Sequence, residues 1–173
     1  MPQLEARGVR LYYAEHGDGQ PIVLIHGVST SALIWGQAVD ELARLGRIII
    51  YDRRSCTRSE RPSPYETTNV AEHADDPAEL LLSLAAAPAV VIGRSYGGEV
   101  ALDLALRYPE RVRALVLLEA APVNLSPAAD AFLRGIAERV FAAAEESGHG
   151  APGEALVREV AATGRRCQSR CER

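Results

Sequence analysis

The amino-acid sequence predicts an α/β fold: a mainly parallel sheet that opens with an antiparallel hairpin and carries helices on both faces. Short apolar runs, bounded by turn residues, recur along the chain as far as residue 118. Such runs are typical of strands that are buried on both faces of a parallel sheet. Segments with the helical spacing of apolar residues separate them, and this alternation indicates a parallel sheet with right-handed crossovers.

The strands follow from local patterns. Residues 9–14 alternate as a strand does, and Arg7-Gly8 before them is a suitable hairpin turn from a shorter first strand. The strand expected at 112–118 should be buried like the others. The remaining predicted strands are 21–25, 47–52 and 89–93.

The first helix should follow the strand at 21–25. Serine and threonine at 29–31 are candidate N-caps, apolar residues then follow at helical spacing, and Gly46 ends the helix. After the strand at 47–52, the polar segment 53–64 predicts a surface loop.

A second helix is expected over much of 70–86. Pro77 interrupts it and allows two interpretations: a fresh start, with Asp76 as N-cap and Glu79 completing a capping box, or a kink. A third helix is expected at 96–108, apolar on most sides and therefore largely buried, and a proline ends it.

Composition excludes several classes of protein. The chain has 173 residues, 47% of them apolar, and a formal net charge of -4, so neither nucleic acid nor a membrane is an expected partner. The most apolar stretch, 80–93, is too short to span a bilayer, and the first residues lack a signal-peptide core, so we expect a cytoplasmic protein. Three cysteines do not suggest a disulfide framework, and Cys167 with Cys171 alone makes a poor zinc site; no metal or cofactor is expected.

One motif carries specific chemistry, in the order Gly93-Arg94-Ser95-Tyr96-Gly97-Gly98. A serine on a very tight turn between a strand and a helix needs almost no side chain two residues before and after it, and Gly93 and Gly97 meet that need. The turn would expose the hydroxyl of Ser95 and place the amide of Tyr96 at a helix N-terminus, where an oxyanion is favoured. We interpret the motif as a nucleophile elbow with Gly98 in support.

A second motif, His26-Gly27, follows the strand at 21–25. In a site of this type the loop after that strand supplies the second oxyanion donor, and a glycine lets the loop approach the elbow closely. The backbone amide of Val28 is the predicted donor.

The order of His26-Gly27, then Asp52-Arg53 at a strand end, then the elbow resembles the α/β-hydrolase family of esterases, lipases, haloperoxidase-like enzymes and lactone hydrolases. The resemblance extends over about residues 9–122. It implies an α/β-hydrolase core, here incomplete because the last two strands are missing.

The segment 51–59 departs from that family. The family often has Asp-Arg-Arg-Gly-x-Gly-x-Ser here, and this chain has Ser55 and Thr57 at the two glycine positions. We interpret the segment as structural and its arginine cluster as mostly solvated surface.

The resemblance also implies a reaction. Dehalogenase and epoxide-hydrolase relatives use aspartate at the elbow, whereas Ser95 indicates acyl transfer through an acyl-enzyme, with an ester, thioester or lactone as the small-molecule substrate. Arg94 beside it could favour acidic substrates. Two alternatives are a cofactor-free haloperoxidase-like enzyme and a non-catalytic fragment that binds a ligand or partner.

The acid and base of a triad are harder to find. In this family they follow the nucleophile in the order acid, then histidine. Glu119, at the end of the strand 112–118, is a candidate acid, and His149 is the only histidine downstream of Ser95. His149 lies in what resembles a cap insertion, so the catalytic histidine is not identified. A rearranged site that uses Glu119 and His149 is a third hypothesis.

Three segments are therefore expected: the first part of a hydrolase core at 1–122, a partial helical cap at 123–164 and an irregular tail at 165–173. We expect a truncated or frameshifted product with little or no activity. The strand 112–118 would then form a sheet edge of apolar composition, which invites self-association.

Overall fold

The computed structural model describes residues 2–64 and 68–120, together with residues 135 and 138. Its strands confirm the predicted pattern, and the turn at Arg7 and Gly8 joins the first two, with φ angles of 47° and 80°. The strands are β1 (Gln3–Ala6), β2 (Val9–His16), β3 (Pro21–Ile25), β4 (Arg47–Tyr51), β5 (Ala89–Arg94) and β6 (Val112–Leu118).

These strands form one mixed sheet in the order β1-β2-β4-β3-β5-β6. The pairs β1/β2 and β2/β4 are antiparallel, whereas β4/β3, β3/β5 and β5/β6 are parallel. The expected α/β class with an antiparallel start is thus confirmed. The sheet centres on β3, which lies between its two parallel neighbours.

Helices cover both faces of this sheet. The helices are α1 (Ala38–Leu42), α2 (Val70–Ser83) and α3 (Tyr96–Arg107), with short 3-10 helices at Ala32–Trp35 and Pro109–Arg111. Along β3, Val23 and Ile25 pack into the core cluster that contains α2 and α3. Ile22 and Leu24 pack into a second cluster with Trp35 on the opposite face. The period of two along each strand therefore separates two cores.

The helix predicted after β3 is broken into two short pieces. Ser31 is the N-cap of the 3-10 helix and accepts a hydrogen bond from the Leu33 amide at 3.3 Å, so an N-cap within 29–31 is confirmed. Gly36, with φ of 41°, separates this turn from α1. Leu45, which follows α1, is 73% exposed.

Of the two interpretations of Pro77, the fresh helix start at Asp76 is wrong. Helix α2 is continuous through Pro77, and its capping box lies about two turns earlier, between Asn69 and Glu72. The Glu72 amide donates to Asn69 Oδ1 at 2.9 Å, and the Asn69 amide donates to Glu72 Oε2 at 3.1 Å. Asp76 does not cap because its carboxylate pairs with Arg54.

Strand β6 is not buried like the other strands; in the described residues it has the edge position expected for a chain that lacks the later strands. Val116, Leu117 and Leu118 are each about 40% exposed. In the described part of the chain β6 pairs only with β5 and forms the edge of the sheet. Its composition predicted burial on both faces, but burial depends on what covers the strand. Self-association through this edge stays a prediction.

The expected cap at 123–164 and tail at 165–173 lie outside the described residues, except for residues 135 and 138. Among the helices that the model describes, none combines the length and the apolar character needed to cross a membrane.

Candidate active site

The candidate site lies where the strand order reverses. Strand β4 pairs with one side of β3 and β5 with the other. Loops that leave the carboxyl ends of two such strands diverge and open a crevice, which is where ligands bind in open α/β sheets. The loops after β3 and β5 carry His26-Gly27 and Ser95, so the sheet brings together two motifs that are distant in sequence.

Ser95 has the strained backbone of a nucleophile elbow. Its φ of 53° and ψ of -124° lie in a region that costs energy for any residue except glycine. A Cβ atom on Gly93 would collide with the Gly97 carbonyl oxygen. One on Gly97 would collide with the carbonyl oxygen of Ile25 and lie 2.6 Å from that of His26. The turn can therefore close only because both positions are glycine.

The loop after β3 packs directly on the serine. A Cβ atom on Gly27 would lie 3.2 Å from Ser95 Cβ and 3.7 Å from Ser95 Oγ. No side chain thus separates the Gly27 backbone from the hydroxyl. Val28, the next residue, is 47% exposed. The Val28 and Tyr96 amides remain the predicted oxyanion donors.

Arg53, predicted to be solvated, is only 4% exposed. Its Nε donates to the His26 carbonyl at 3.1 Å, and its Nη2 donates to the Gly27 carbonyl at 2.8 Å. Its Nη1 lies 3.3 Å from Nδ1 of His73, and its guanidinium carbon lies 4.8 Å from the centre of the Tyr96 ring. The prediction failed because all these partners lie on other elements of the fold.

Arg54 is also buried, which corrects the same prediction. It forms two hydrogen bonds with the Asp76 carboxylate on α2, at 2.8 and 2.6 Å. Asp52, at the end of β4, accepts from the Ala32 amide at 2.8 Å and from Arg58 Nε at 2.7 Å. These two carboxylates tie the segment after β4 to α2 and to the helix that follows the His26-Gly27 loop.

The two positions where glycine is replaced keep a glycine-like backbone. Ser55 has a φ of 61° and Thr57 a φ of 41°. Left-handed backbone is disfavoured for residues with a Cβ, and more so for a β-branched one. The sequence departs from the family pattern here, but the described conformation is one that glycine would adopt more easily.

The two buried histidines are uncharged. Nδ1 of His26 donates to the Gly27 carbonyl at 2.9 Å, while its Nε2 accepts from the Arg53 amide at 3.0 Å, so the ring is neutral. Burial, with the Arg53 guanidinium, lowers the pKa of His26 to about 4. Burial, with the charges of Arg53 and Arg54, lowers the pKa of His73 to about 3.

The pH dependence of stability should therefore include His73. Its pKa is about 6.5 in the unfolded chain and about 3 when folded, so between these values the unfolded state binds one proton more. Stability is fully present above pH 6.5 and falls on acidification by about 1.4 kcal/mol per pH unit for each such histidine. In His73→Phe, which can keep the edge-on contact with Tyr96, we expect this slope to decrease by about that amount between pH 6.5 and 4.5. Urea unfolding across that range measures it.

The matched control is His16→Phe, at an exposed position on β2. The decrease in slope should be larger in His73→Phe than in this control. A folded His73→Phe variant with the parent slope would contradict the buried, neutral state of His73.

Glu119 follows β6 with a left-handed φ of 49°. Its Oε2 lies 3.6 Å from Nη2 of Arg94, and the two side chains are 79% and 43% exposed. Its role as triad acid, and that of Arg94 in substrate choice, stay predictions. His149 lies outside the described residues.

The described histidines do not supply a base to Ser95. His26 and His73 direct ring nitrogens at Arg53 and Gly27. His16 pairs with Ile48 at the start of β4, the end of the sheet opposite the elbow. No group of metal-ligating side chains occurs within the residues that the model describes.

The sequence did not predict that Arg53 contacts the His26-Gly27 loop and His73. The run of three residues Asp52-Arg53-Arg54 was itself a signal, since charged residues directly after a central strand lie at the carboxyl edge of the sheet. His73 had no such signal, because nothing local distinguishes it from an exposed helical histidine.

The strained serine thus lies at the switch point of the sheet, and the Gly27 backbone faces it. The model of the alpha/beta hydrolase fold family matches residues 20–163. The chain therefore belongs to this family of enzymes, and its sheet is consistent with an incomplete core of that fold.

Individual relatives agree with this assignment. The chain is 35% identical over 127 residues to a 2-hydroxymuconate semialdehyde hydrolase of Pseudomonas sp. (strain CF600), covering 70% of this chain and 44% of that protein. A thermophilic esterase from Thermogutta terrifontis superposes with a TM-score of 0.70 at 28% identity, covering 81% of this chain and 53% of that one. Est816, described as an N-acyl homoserine lactone degrading enzyme, superposes with a TM-score of 0.68 at 29% identity, covering 90% and 64%. The chain spans about half the length of the curated relatives that it matches.

Proposed function

We propose that this chain carries the nucleophile and the oxyanion hole of a serine hydrolase that acts on an ester, thioester or lactone. The observation that carries the proposal is the strained Ser95, at φ of 53°, with the Gly27 backbone packed against its hydroxyl side. A serine held in this way presents its oxygen at the carboxyl edge of the sheet, within the crevice.

The expected chemistry is acyl transfer. Ser95 Oγ attacks the substrate carbonyl carbon, its proton passes to a base, and the carbonyl oxygen becomes an oxyanion that accepts hydrogen bonds from the Val28 and Tyr96 amides. Collapse of this intermediate expels the alcohol, thiol or ring oxygen with a proton and leaves an acyl group on Ser95, which water then hydrolyses. No described histidine is placed to take this proton, so a complete site would need a base from outside residues 2–64 and 68–120.

The substrate class rests on the nucleophile and on the relatives. A serine, unlike the aspartate of epoxide-opening relatives, forms acyl-enzymes from carboxylic derivatives. Both an esterase and a lactone-degrading enzyme resemble this chain over most of its length. We infer a small-molecule acyl substrate on this basis.

Labelling with a fluorophosphonate probe tests the proposal. We expect covalent modification of Ser95, detected as a mass increase on the tryptic peptide that begins there, and none in Ser95→Ala. Ser31→Ala is the matched control. Ser31 caps the neighbouring 3-10 helix and should not react, so this variant should be labelled on Ser95 like the parent. Circular dichroism establishes that each variant is folded.

The rate of labelling separates the hypotheses. Fast labelling would mean that a base is assembled, as in the site with Glu119 and His149. Slow labelling, reduced by about four to six powers of ten relative to a complete triad, would mean a nucleophile and oxyanion hole without a base. A folded protein with no adduct on Ser95 would overturn the proposal in favour of the non-catalytic alternative.

A further inference from the structure

We propose that Arg53 is a positioning residue of the oxyanion hole: it holds the His26-Gly27 loop so that the Val28 amide points toward Ser95. The effect on catalysis rests on the proposed function. The direction of the Val28 amide is a structural claim that does not depend on it. Arg53 lies next to neither the nucleophile nor an expected triad member in sequence, and it acts through the backbone of the loop.

The geometry starts with two carbonyl groups. Arg53 Nε donates to the His26 carbonyl at 3.1 Å, and Nη2 donates to the Gly27 carbonyl at 2.8 Å. Both contacts come from one planar guanidinium, whose donors are fixed relative to each other, so the fork sets the direction of both carbonyls together. The His26 ring adds a second donor to the Gly27 carbonyl, at 2.9 Å.

The direction of a carbonyl determines the direction of the following amide. The bond between Gly27 and Val28 is trans, since the only cis bonds in the described chain precede prolines. In a planar trans peptide the C=O and N–H groups point in opposite directions. Because the Gly27 carbonyl accepts from the buried Arg53, the Val28 N–H points away from that guanidinium. The Gly27 backbone lies against Ser95, and the proposal takes the crevice to be on the side of this N–H.

The same guanidinium also contacts Tyr96, the residue of the second predicted oxyanion donor. Its central carbon lies 4.8 Å from the centre of the Tyr96 ring, and the edge of His73 packs on that ring with centroids 5.6 Å apart. Tyr96 supplies the other predicted donor through its amide. Arg53 therefore contacts the Gly27 carbonyl, which belongs to the same peptide group as the Val28 amide, through a hydrogen bond and the Tyr96 ring through a cation–π contact.

Arg53 forms no ion pair with a described carboxylate. Within the described ranges no carboxylate lies within 4 Å of its guanidinium; the nearby acids pair instead with Arg54 and Arg58. Its contacts are carbonyls, a neutral imidazole and an aromatic face. A buried positive charge behind the Gly27 peptide polarises that peptide and favours negative charge in front of it.

Two variants distinguish the orientation of the Val28 amide from the effect of the Arg53 charge. Arg53→Lys keeps the charge but loses the fork, and Arg53→Met keeps much of the length but loses both. Arg44→Met is the matched control, because Arg44 forms an exposed pair with Glu41. In 15N-labelled protein, we expect the Val28 amide resonance to shift or broaden in both Arg53 variants and to stay unchanged in Arg44→Met.

A kinetic measurement accompanies this one. The rate of Ser95 acylation by p-nitrophenyl acetate should fall in Arg53→Met by roughly tenfold to a hundredfold, less than the loss of a whole oxyanion donor. The concentration for half-saturation should change little, because the hole binds the transition state more tightly than the ester. Arg53→Lys should recover part of the rate, the part that depends on charge.

The following results would overturn the proposed role of Arg53. A folded Arg53→Met variant with an unchanged Val28 amide would overturn the proposal. If neither variant folds, the parent protein decides: Arg53 Nε–H should exchange with water far more slowly than Arg44 Nε–H, and equal rates would overturn it. If fluorophosphonate leaves no adduct on Ser95 in the folded parent, the proposed function fails and the Val28 amide resonance alone tests the role of Arg53.

Discussion

Gly97→Ala is expected to lower the free energy of unfolding by about 3 kcal/mol or more, at the upper end of what overpacking costs. An added Cβ would collide with the Ile25 carbonyl oxygen and lie 2.6 Å from that of His26. Both are backbone atoms at the end of β3, which is held between β4 and β5, so neither can move without disturbing the centre of the sheet. Urea denaturation measures the loss.

The expected loss of stability is opposite in sign to the effect that helix propensity alone would give. Gly97 lies in α3, where alanine is normally about 1 kcal/mol better than glycine. The control is Gly8→Ala, where φ is +80° but nothing lies within 4 Å of the added atom. Its cost should be limited to about 1–2 kcal/mol of backbone strain. If Gly97→Ala proves as stable as the parent, the elbow does not pack on the loop after β3.

Arg54→Met is expected to cost about 3–5 kcal/mol, because it leaves the carboxylate of Asp76 buried without its partner. Asp76 is 0% exposed and receives two hydrogen bonds from Arg54, at 2.8 and 2.6 Å. The double variant Arg54→Met/Asp76→Leu should regain most of the loss, since two apolar side chains can replace a buried pair. Chemical denaturation of the two variants measures both effects.

The pH dependence gives a second measurement of the same pair. Burial raises the pKa of the Asp76 carboxyl, and Arg54 opposes that shift. Without Arg54 the pKa should rise further, so the folded variant would bind a proton that the unfolded chain has lost. Its stability should then fall as the pH rises from 4 to 7. Arg44→Met, at an exposed pair, should cost at most about 1 kcal/mol; an equal loss in both variants would contradict a special role for the buried pair.

Much of the sheet could be predicted from local patterns. The apolar runs of β3 and β5 are confirmed as central parallel strands, and the turn at Arg7-Gly8 is confirmed between two antiparallel ones. The start of α2 could not be chosen from local patterns alone. Asp76 with Glu79 and Asn69 with Glu72 both have the spacing of a capping box, and the structure uses the second pair.

Burial of charged and apolar residues could not be predicted in the same way. Arg54 and Asp76 are 22 positions apart, and either residue alone is typical of a solvated surface. Conversely, the apolar β6 is exposed because burial of a strand depends on neighbours that its own residues do not specify.

The sequence by itself determined the class of fold, the family, and the position of Ser95 between two glycines, because these depend on short-range patterns of size, polarity and turn geometry. Tertiary structure alone decided that Gly27 lies against Ser95 and that Arg53 contacts the carbonyls of His26 and Gly27, with His73 and Tyr96 beside it. The physical reason is the parallel sheet. It brings the ends of β3, β4 and β5 to one edge, and only there can a buried guanidinium find carbonyl groups and rings that are far away along the chain.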